Sequence, residues 1–223
     1  PGGFFLDPLL PVDQAVITHS HSDHARRGAR IYFTAEKGVR LLRARLGQKI
    51  NVRGFPYGEP FQIGPVTVSF HPAGHILGSS QIRLEHRGEV WVVSGDYKRE
   101  PDPTCDAFEP LKCDVFVTEA TFGTPGFRWE KGRVFGREIY EWWKENRTKG
   151  KNSLLYAYSL GKTQRILGLI QEFLDRPVYL APPAFSITEI YRSQGVLLPR
   201  TICISSLDSE KKLDGELVIA SRG

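Results

Sequence analysis

Three histidines and an aspartate fall within six residues near the start of the chain. Residues 18–24 read THSHSDH and supply four side chains with metal-ligand atoms: His19, His21, Asp23 and His24. An apolar run at residues 12–18 predicts a β-strand that ends in this polar loop, which can turn alternate side chains toward one point. Imidazole and carboxylate groups together suit Zn²⁺, Mn²⁺ or Fe²⁺. The cluster therefore predicts a metal site rather than a polar loop of hydrogen-bonded histidines.

Two residues further along the chain extend the ligand set to a two-metal site. His75 lies in a glycine-flanked turn, where the backbone can crowd a site. Asp96 ends a strongly apolar strand, a position from which a carboxylate can bridge two ions. Of the other histidines, His71 runs toward His75 on a predicted strand and suits a supporting role, whereas His86 adjoins a predicted hairpin turn and is expected to be exposed.

Composition predicts a soluble globular protein. The chain has 223 residues, of which 40% are hydrophobic and 25% charged, enough for one large domain or two modest ones. It contains no apolar run of roughly 18 residues, as a membrane span requires, and no secretory pattern at its start. Its three cysteines show no CxxC spacing, so we expect free thiols and a cytoplasmic protein.

The positive charge is local. Net charge is +5, yet residues 26–53 hold nine basic residues against one acidic residue, a net +8. Such a patch attracts polyanions, although a solvated helix face would look the same. Arg26 and Arg27 directly follow His24 and are the best candidates for contacts with a polyanion near the metals; Lys98 is a weaker one.

The predicted secondary structure changes along the chain. Residues 61–96 alternate as strands, with a hairpin turn at residues 87–88, and after about residue 122 strands and helices alternate. That order predicts a parallel sheet with packed helices. We therefore predict an α/β protein divided into residues 1–122 and 123–223. Trp142 and Trp143 are assigned to the core of the second part.

A second candidate for anion binding is the predicted helix start at residues 159–163, SLGKT. Backbone N–H groups there suit a phosphate, with Ser159, Lys162 and Thr163 as its contacts. It is not a Walker A loop, because Tyr156 occupies the place of the required first glycine. An ordinary helix start capped by Ser159 is an equal alternative.

The ligand pattern resembles that of the metallo-β-lactamase superfamily: HxHxDH, a lone His in a glycine-flanked turn and an Asp after a strand. Asp7 resembles the superfamily's first motif, a structural Asp after an early strand. Residues 118–123 (TEATFG) and 156–164 (YAYSLGKTQ) resemble the β-CASP cap of nucleases. Three short runs are similar to bacterial ligase-associated DNA exonucleases, relatives of the Artemis group: residues 78–81 (GSSQ), 91–98 (WVVSGDYK) and 102–105 (DPTC).

The resemblance implies an αββα metallo-β-lactamase sandwich with an inserted α/β β-CASP cap. It implies two divalent ions, first of all Zn, with Mn or Fe as alternatives. The expected activity is hydrolysis of DNA phosphodiester bonds by an exonuclease of a ligase-associated repair system, acting on single strands or strand ends beside a DNA ligase and a helicase. Three alternatives stay open: an RNA-processing β-CASP ribonuclease, a glyoxalase II or lactamase-type hydrolase of small molecules, and a metal-depleted nucleic-acid-binding module.

Catalytic roles follow from the same resemblance. Asp23 and Asp96 are expected to hold metal, with Asp23 also orienting a hydroxide, and Glu119 to hold a ligating His. β-CASP enzymes carry a further ligating His in a C-terminal return segment, but this sequence has no His after His86, so that segment is expected to be missing. Two sites result. The fuller one comprises His19, His21, His75 and a shared Asp96; the thinner one comprises Asp23, His24 and Asp96.

Overall fold

A computed structural model describes residues 1–127, 135–207 and 212–221 of the protein. The chain divides into two units, residues 1–127 and 128–223, and both are mixed α/β structures. The predicted boundary after residue 122, and the assignment of the two parts to a metallo-β-lactamase domain and a cap, stay predictions.

The first sheet of the N-terminal unit is parallel, with strand order β1-β2-β3-β4. Its strands are β1 (Phe5–Leu6), β2 (Gln14–Val16), β3 (Ile31–Ala35) and β4 (Val52–Phe55). A 3-10 turn (Glu36–Gly38) leads from β3 into helix α1 (Val39–Leu46). The sequence predicts one helix over residues 36–46, and the structure confirms it apart from the tighter first turn.

The second sheet of this unit has strand order β5-β6-β7-β8-β9 and is antiparallel, except that β8 and β9 are parallel. Its strands are β5 (Phe61–Ile63), β6 (Val66–Pro72), β7 (Ser80–His86), β8 (Glu89–Val93) and β9 (Val115–Val117). The predicted turn between β7 and β8 is confirmed: Arg87 and Gly88 have φ of 53° and 83°, as a two-residue hairpin of this twist requires.

Apolar residues on alternate strand positions bind these layers together. Side chains between the two sheets form one buried cluster: Val16, Ile31, Phe33, Ala35, Ile63, Val66, Val68, Phe70 and Ile82. A second cluster lies between the first sheet and α1: Ala15, Ile17, Ala25, Tyr32, Leu42 and Leu46. The N-terminal unit is thus layered as helix, sheet and sheet, and the loops at one end of the strands carry the candidate ligands.

The C-terminal unit has a parallel sheet of order β10-β13-β11-β12. Its strands are β10 (Ser153–Tyr156), β11 (Val178–Leu180), β12 (Thr201–Cys203) and β13 (Leu217–Ala220). Its helices are α2 (Phe135–Thr148), α3 (Lys162–Ile170) and α4 (Pro182–Ser193). The predicted alternation of strands and helices is confirmed. Val134, where the sequence predicts α2 to begin, lies outside the described residues.

Some sequence predictions about individual positions are wrong. Trp143 is buried at 1% exposure and donates to the Gly215 carbonyl, but Trp142 is 40% exposed, because it lies on the outer face of α2. His86 is half-buried and its Nδ1 lies 3.0 Å from the Pro65 carbonyl oxygen, so it is not an exposed turn residue.

The three cysteines are partly buried, as predicted, and form no disulfide with one another. None of the helices in the described ranges is long and apolar enough to cross a membrane.

Candidate metal centre

The loop at residues 18–24 begins where β2 ends and is tied to both sheets. Ile17 N–H donates to the Phe33 carbonyl of the first sheet. The Thr18 carbonyl accepts from Ser80, the first residue of β7, through both the N–H and the hydroxyl at 2.9 and 3.0 Å. These bonds place the loop across one end of the sandwich.

The other candidate ligands meet the loop because their strands end at the same place. His75 lies between β6 and β7, Asp96 follows β8 and Glu119 follows β9. Gly95 has φ of 53°, and a Cβ there would lie 2.6 Å from the Cβ of Thr18. Only glycine lets this turn pass so close to the loop, and the close approach delivers Asp96 to the histidines.

Four ligand atoms form a first group: His19 Nε2, His21 Nδ1, His75 Nε2 and Asp96 Oδ2. His21 Nδ1 lies 3.0 Å from His19 Nε2 and 3.2 Å from His75 Nε2. Asp96 Oδ2 lies 3.3 Å from His75 Nε2 and 3.8 Å from His19 Nε2. Ligand atoms about 2.1 Å from a tetrahedral Zn²⁺ would be roughly 3.4 Å apart. The donor set and its spacing therefore fit a divalent ion of that size.

A second group lies on the other side of Asp96. His24 Nε2 is 3.5 Å from Asp96 Oδ1 and 3.5 Å from Glu119 Oε2. Asp96 thus presents Oδ2 to the first group and Oδ1 to the second, which is the arrangement that a bridging carboxylate needs.

Asp7 orients histidines of both groups without belonging to either. Its Oδ2 lies 2.8 Å from His24 Nδ1, and it accepts from the Thr18 hydroxyl at 2.5 Å. Because that hydroxyl hydrogen is used, the Thr18 oxygen can accept from His19 Nδ1, 3.1 Å away. Both rings therefore donate through Nδ1 and turn Nε2 toward the centre, as ligating histidines held by a carboxylate do.

Burial and neighbouring charges shift the pKa values at this centre in opposite directions. Burial, and then the other histidines, lower the pKa of His19 well below 6.5. Burial also lowers that of His24, but hydrogen bonds to Asp7 and Asp96 outweigh it and raise the pKa to about 10. The hydrogen bond to His24 holds the pKa of Asp96 well below its usual value. An imidazolium at His24 thus faces an ionised Asp96, and a metal ion must displace that proton.

Asp23 is the predicted ligand that the structure does not bring into either group. Its side chain is 71% exposed, and its Oδ2 lies 3.9 Å from His24 Nε2. Glu119 stands in the second group instead, closer than the supporting position predicted for it. His71 lies in neither group; it contacts the Ser69 hydroxyl at 3.0 Å and the Glu109 carboxylate at 3.2 Å.

The basic candidates near the centre differ in availability. Arg26 and Arg27 are exposed. Lys98 is held by an ion pair of 2.9 Å to the buried Asp102, so its ammonium group is committed to the fold.

The three residues predicted to contact a phosphate at residues 159–163 differ in their exposure. Lys162 is exposed and Ser159 is half-buried. Thr163 is fully buried and its hydroxyl donates to the Tyr158 carbonyl at 2.8 Å, so it is not placed to bind a phosphate. The alternative of Ser159 as N-cap is also wrong, because Gly161 holds that position.

Two residues that hold the ligand loop and the His75 turn were not predicted from the sequence. The guanidinium of Arg45, in the last turn of α1, donates to the Ser20 carbonyl at 2.6 Å, between the first two histidines of the loop. The Ser79 hydroxyl accepts from the N–H groups of His75 and Ile76, both at 3.1 Å. Nothing distinguishes Arg45 in sequence from its basic neighbours. For Ser79, the signal is a serine four residues after the histidine in a glycine-flanked turn.

Comparison with known proteins gives several relatives, although no family model matches the chain. The chain is 30% identical over 200 residues to a probable DNA ligase of Opitutus terrae, covering 88% of the chain and 19% of that protein. It is 27% identical to ribonuclease TTHA0252 of Thermus thermophilus and 25% identical to an RNase J-like protein of Methanocaldococcus jannaschii, covering 84% and 82% of the chain. It spans half of each of those two proteins.

The fold resembles that of a solved structure. It is a protein of unknown function from Enterococcus faecalis V583, with a TM-score of 0.58 at 11% identity over 94% of this chain and 58% of that one. The named relatives thus comprise a ligase and ribonucleases, and the fold is one that a solved structure also adopts.

Proposed function

We propose that this chain belongs to a metal-dependent nuclease of the metallo-β-lactamase type and carries its binuclear centre. The observation that carries the proposal is Asp96, whose two carboxylate oxygens face two separate ligand groups. The names of the ribonuclease relatives support it. Zn²⁺ is the proposed ion because imidazoles dominate the first group; Mn²⁺ and Fe²⁺ suit the same donors.

Each side chain of the centre has a proposed task. Bound divalent ions in such centres lower the pKa of water toward ~7 and offset charge on a phosphoryl oxygen. Asp96 holds the two groups at a fixed separation, and Asp7 keeps the Nε2 atoms of His19 and His24 turned inward. Glu119 stands with His24 and Asp96 as a proposed ligand of the second ion. Asp23, exposed at the rim, is free to take the proton of an attacking water or to move inward as a ligand.

The proposed substrate is a nucleic acid strand, and DNA is favoured. Arg26 and Arg27 follow His24 directly and are exposed, so they can hold backbone phosphates beside the centre. The ligase relative favours a DNA exonuclease that works with a ligase. The ribonuclease relatives favour RNA as the second candidate.

Digestion of matched strands tests the proposal. End-labelled single-stranded DNA and RNA of one sequence are incubated with the full-length protein and Zn²⁺ or Mn²⁺. We expect DNA cleavage that Asp96→Ala abolishes and that Asp13→Ala leaves intact, because Asp13 lies on the surface in a pair with Arg30. Preferential RNA cleavage would move the assignment to a ribonuclease. A metal-loaded protein that cleaves neither strand but hydrolyses a thioester or lactam would refute the nuclease and support the small-molecule hydrolase.

A further inference from the structure

A buried carboxylate fixes the segment of chain that follows Asp96. The side chain of Asp102 is only 2% exposed. Its Oδ2 accepts from the Lys98 ammonium at 2.9 Å, and its Oδ1 accepts from the N–H and the hydroxyl of Thr104 at 3.0 and 2.6 Å. Thr104 is also buried. The carboxylate thus closes residues 98–104 into a compact loop.

Lys98 joins the two turns that supply His75 and Asp96. Its backbone N–H donates to the carbonyl of Ala73 at 2.9 Å. Ala73 lies two residues before His75, and Lys98 lies two residues after Asp96. A Cβ on Gly74 would lie 2.2 Å from the Lys98 carbonyl oxygen, so the two backbones are in direct contact here. The position of the Lys98 backbone therefore bears on the separation of two ligands of the first metal group.

The ion pair between Lys98 and Asp102 fixes a direction more than it adds stability. Burying two charges has a desolvation cost that their attraction must offset, so a buried ion pair is a weak source of net stability. The two oxygens of Asp102 have different partners, with Lys98 on one and Thr104 on the other, and this orients the carboxylate. Because the Lys98 ammonium is used in this contact, its influence on the centre passes through its backbone.

We propose that Lys98 and Asp102 form a positioning pair for the first metal group. The ion pair holds the Lys98 backbone against Ala73 and thereby keeps Asp96 at ligand distance from His75. In this arrangement Asp96 Oδ2 lies 3.3 Å from His75 Nε2, close to the spacing of two ligands on one tetrahedral ion. The inference rests on the proposed function, because that function supplies the metal. Neither residue of the pair is itself a proposed ligand.

Binding of Co²⁺ measures both the affinity and the coordination of the first group. Co²⁺ is titrated into the metal-free, full-length protein while its visible absorption is recorded, since four-coordinate Co²⁺ absorbs far more strongly than six-coordinate Co²⁺. Lys98→Met/Asp102→Asn removes both charges, so neither is left buried without its partner. We expect this variant to bind the first equivalent of Co²⁺ about 10- to 100-fold more weakly. Its absorption per bound ion should also be lower, because Asp96 no longer lies at ligand distance and water replaces it.

Two further variants separate positioning from a general loss of stability. Thr104→Val keeps both charges and removes one donor to the carboxylate, so it should weaken Co²⁺ binding by a smaller factor, about twofold to tenfold. Arg83→Met/Glu85→Gln removes a partly buried ion pair of 2.8 Å within β7 and is the matched control. It should change neither affinity nor absorption. Absorption per bound ion is the decisive reading, because a loss of stability alone does not change the coordination of an ion that is bound.

Unchanged absorption per bound ion in Lys98→Met/Asp102→Asn would overturn the positioning pair. Where that variant does not fold, unchanged Co²⁺ affinity in Thr104→Val would overturn it. Losses of equal size in the Arg83→Met/Glu85→Gln control would overturn it as well.

A cleavage assay with Mn²⁺ and end-labelled DNA and RNA strands keeps the two proposals apart. Cleavage by the wild type, together with unchanged Co²⁺ binding by the Lys98→Met/Asp102→Asn variant, would refute the positioning pair alone. Co²⁺ absorption that depends on the pair, in a wild type that cleaves neither strand, would refute the nuclease alone. A wild type that binds no Co²⁺ would refute both.

Discussion

Asp7 shows how a carboxylate outside the ligand groups governs them. It contacts Thr18 and His24 directly and reaches His19 through the Thr18 hydroxyl. Its backbone has φ of 41°, an uncommon value for a residue with a side chain, and aspartate tolerates it better than most. One residue therefore sets the ring orientation in both ligand groups.

Removal of Asp7 should weaken metal binding without removing a ligand. We expect Asp7→Ala to lower Zn²⁺ affinity by about 10- to 100-fold, the usual effect of losing such a partner. Competition with a chromophoric chelator measures it, with Asp13→Ala as the control. An unchanged affinity would show that the loop holds its rings without Asp7.

The pKa of His24 predicts a pH dependence of metal binding. Because that pKa is raised to about 10 in the metal-free centre, the ring keeps its proton at neutral pH and the metal must displace it. Affinity at the second group should therefore fall as pH falls below about 10, by up to about tenfold per pH unit. In His24→Gln, this part of the dependence should vanish. If log metal affinity changed with pH at the same slope in wild type and in His24→Gln between about pH 7 and pH 9, His24 would not be the group that loses the proton.

At the scale of secondary-structure elements, Gly74 allows the turn that carries His75 to pack against the backbone near Lys98. It has φ of 73°, and a Cβ there would lie 2.2 Å from the Lys98 carbonyl oxygen. Gly58 has φ of 79° but no atom within 4 Å of the same position. The two glycines differ mainly in the space around them, so they form a matched pair.

Substitution of this pair should separate backbone strain from crowding. Gly58→Ala should cost about 1–2 kcal/mol of unfolding free energy, from the positive φ alone. Gly74→Ala should cost more, because backbone must move, and should also weaken metal binding through the adjacent His75. Urea unfolding and a Zn²⁺ titration measure both effects. Similar losses of stability in the two variants would contradict the crowding.

Helix α1 should support the ligand loop through Arg45. The hydrogen bond to Ser20 involves a charged donor and a buried residue, so its loss leaves a buried carbonyl without this partner. We expect Arg45→Ala to weaken metal binding by about tenfold, whereas Arg53→Ala, on the exposed face of β4, should leave it unchanged. Equal affinities in the two variants would show that the loop is rigid without α1.

Sequence patterns predicted the elements whose signal is local. A short stretch of sequence is enough to recognise the alternation of β6, β7 and β8 and the apolar spacing of α1 and α3. Strands β1, β4 and β13 cannot be recognised in this way. Strand β1 has only two residues, and β4 has Arg53 and Gly54 at its centre. Strand β13 gains its central place from pairing with β10 and β11. The histidine cluster was likewise visible as a motif. Arg45, and the exchange of Asp23 for Glu119 in the second group, depend on how distant elements meet.

At the scale of the whole molecule, the charge is concentrated in two stretches. Residues 26–53 carry +8 and residues 146–171 carry +5, although the chain as a whole carries only +5. The remainder of the chain is therefore acidic overall. A polyanion should accordingly bind at the basic stretches and not over the whole surface. The first stretch is partly neutralised by Lys37–Asp106 and Arg30–Asp13 pairs, but Arg26 and Arg27 have no ion pair among the described residues.

The salt dependence of nucleic-acid binding should show whether Arg26 and Arg27 contact backbone phosphates. In EDTA, the slope of log affinity against log salt should be reduced by about one to two in Arg26→Ala/Arg27→Ala, because up to two phosphate contacts are lost. Arg30→Ala, which removes an arginine already paired with Asp13, is the control and should change the slope less. An unchanged slope in the double variant would remove these two arginines from the binding surface.

Stepwise reconstitution of the metal-stripped, full-length protein tests the binuclear centre most directly. Bound Zn²⁺ and cleavage of an end-labelled DNA strand are measured in the same samples for wild type and Asp96→Ala. We expect two ions per wild-type chain, the tighter at the four-ligand group, with cleavage rising as they bind. In Asp96→Ala, we expect weakened binding at both groups and no cleavage. Cleavage by the metal-free protein, or full metal occupancy and cleavage by Asp96→Ala, would contradict a catalytic binuclear centre bridged by Asp96.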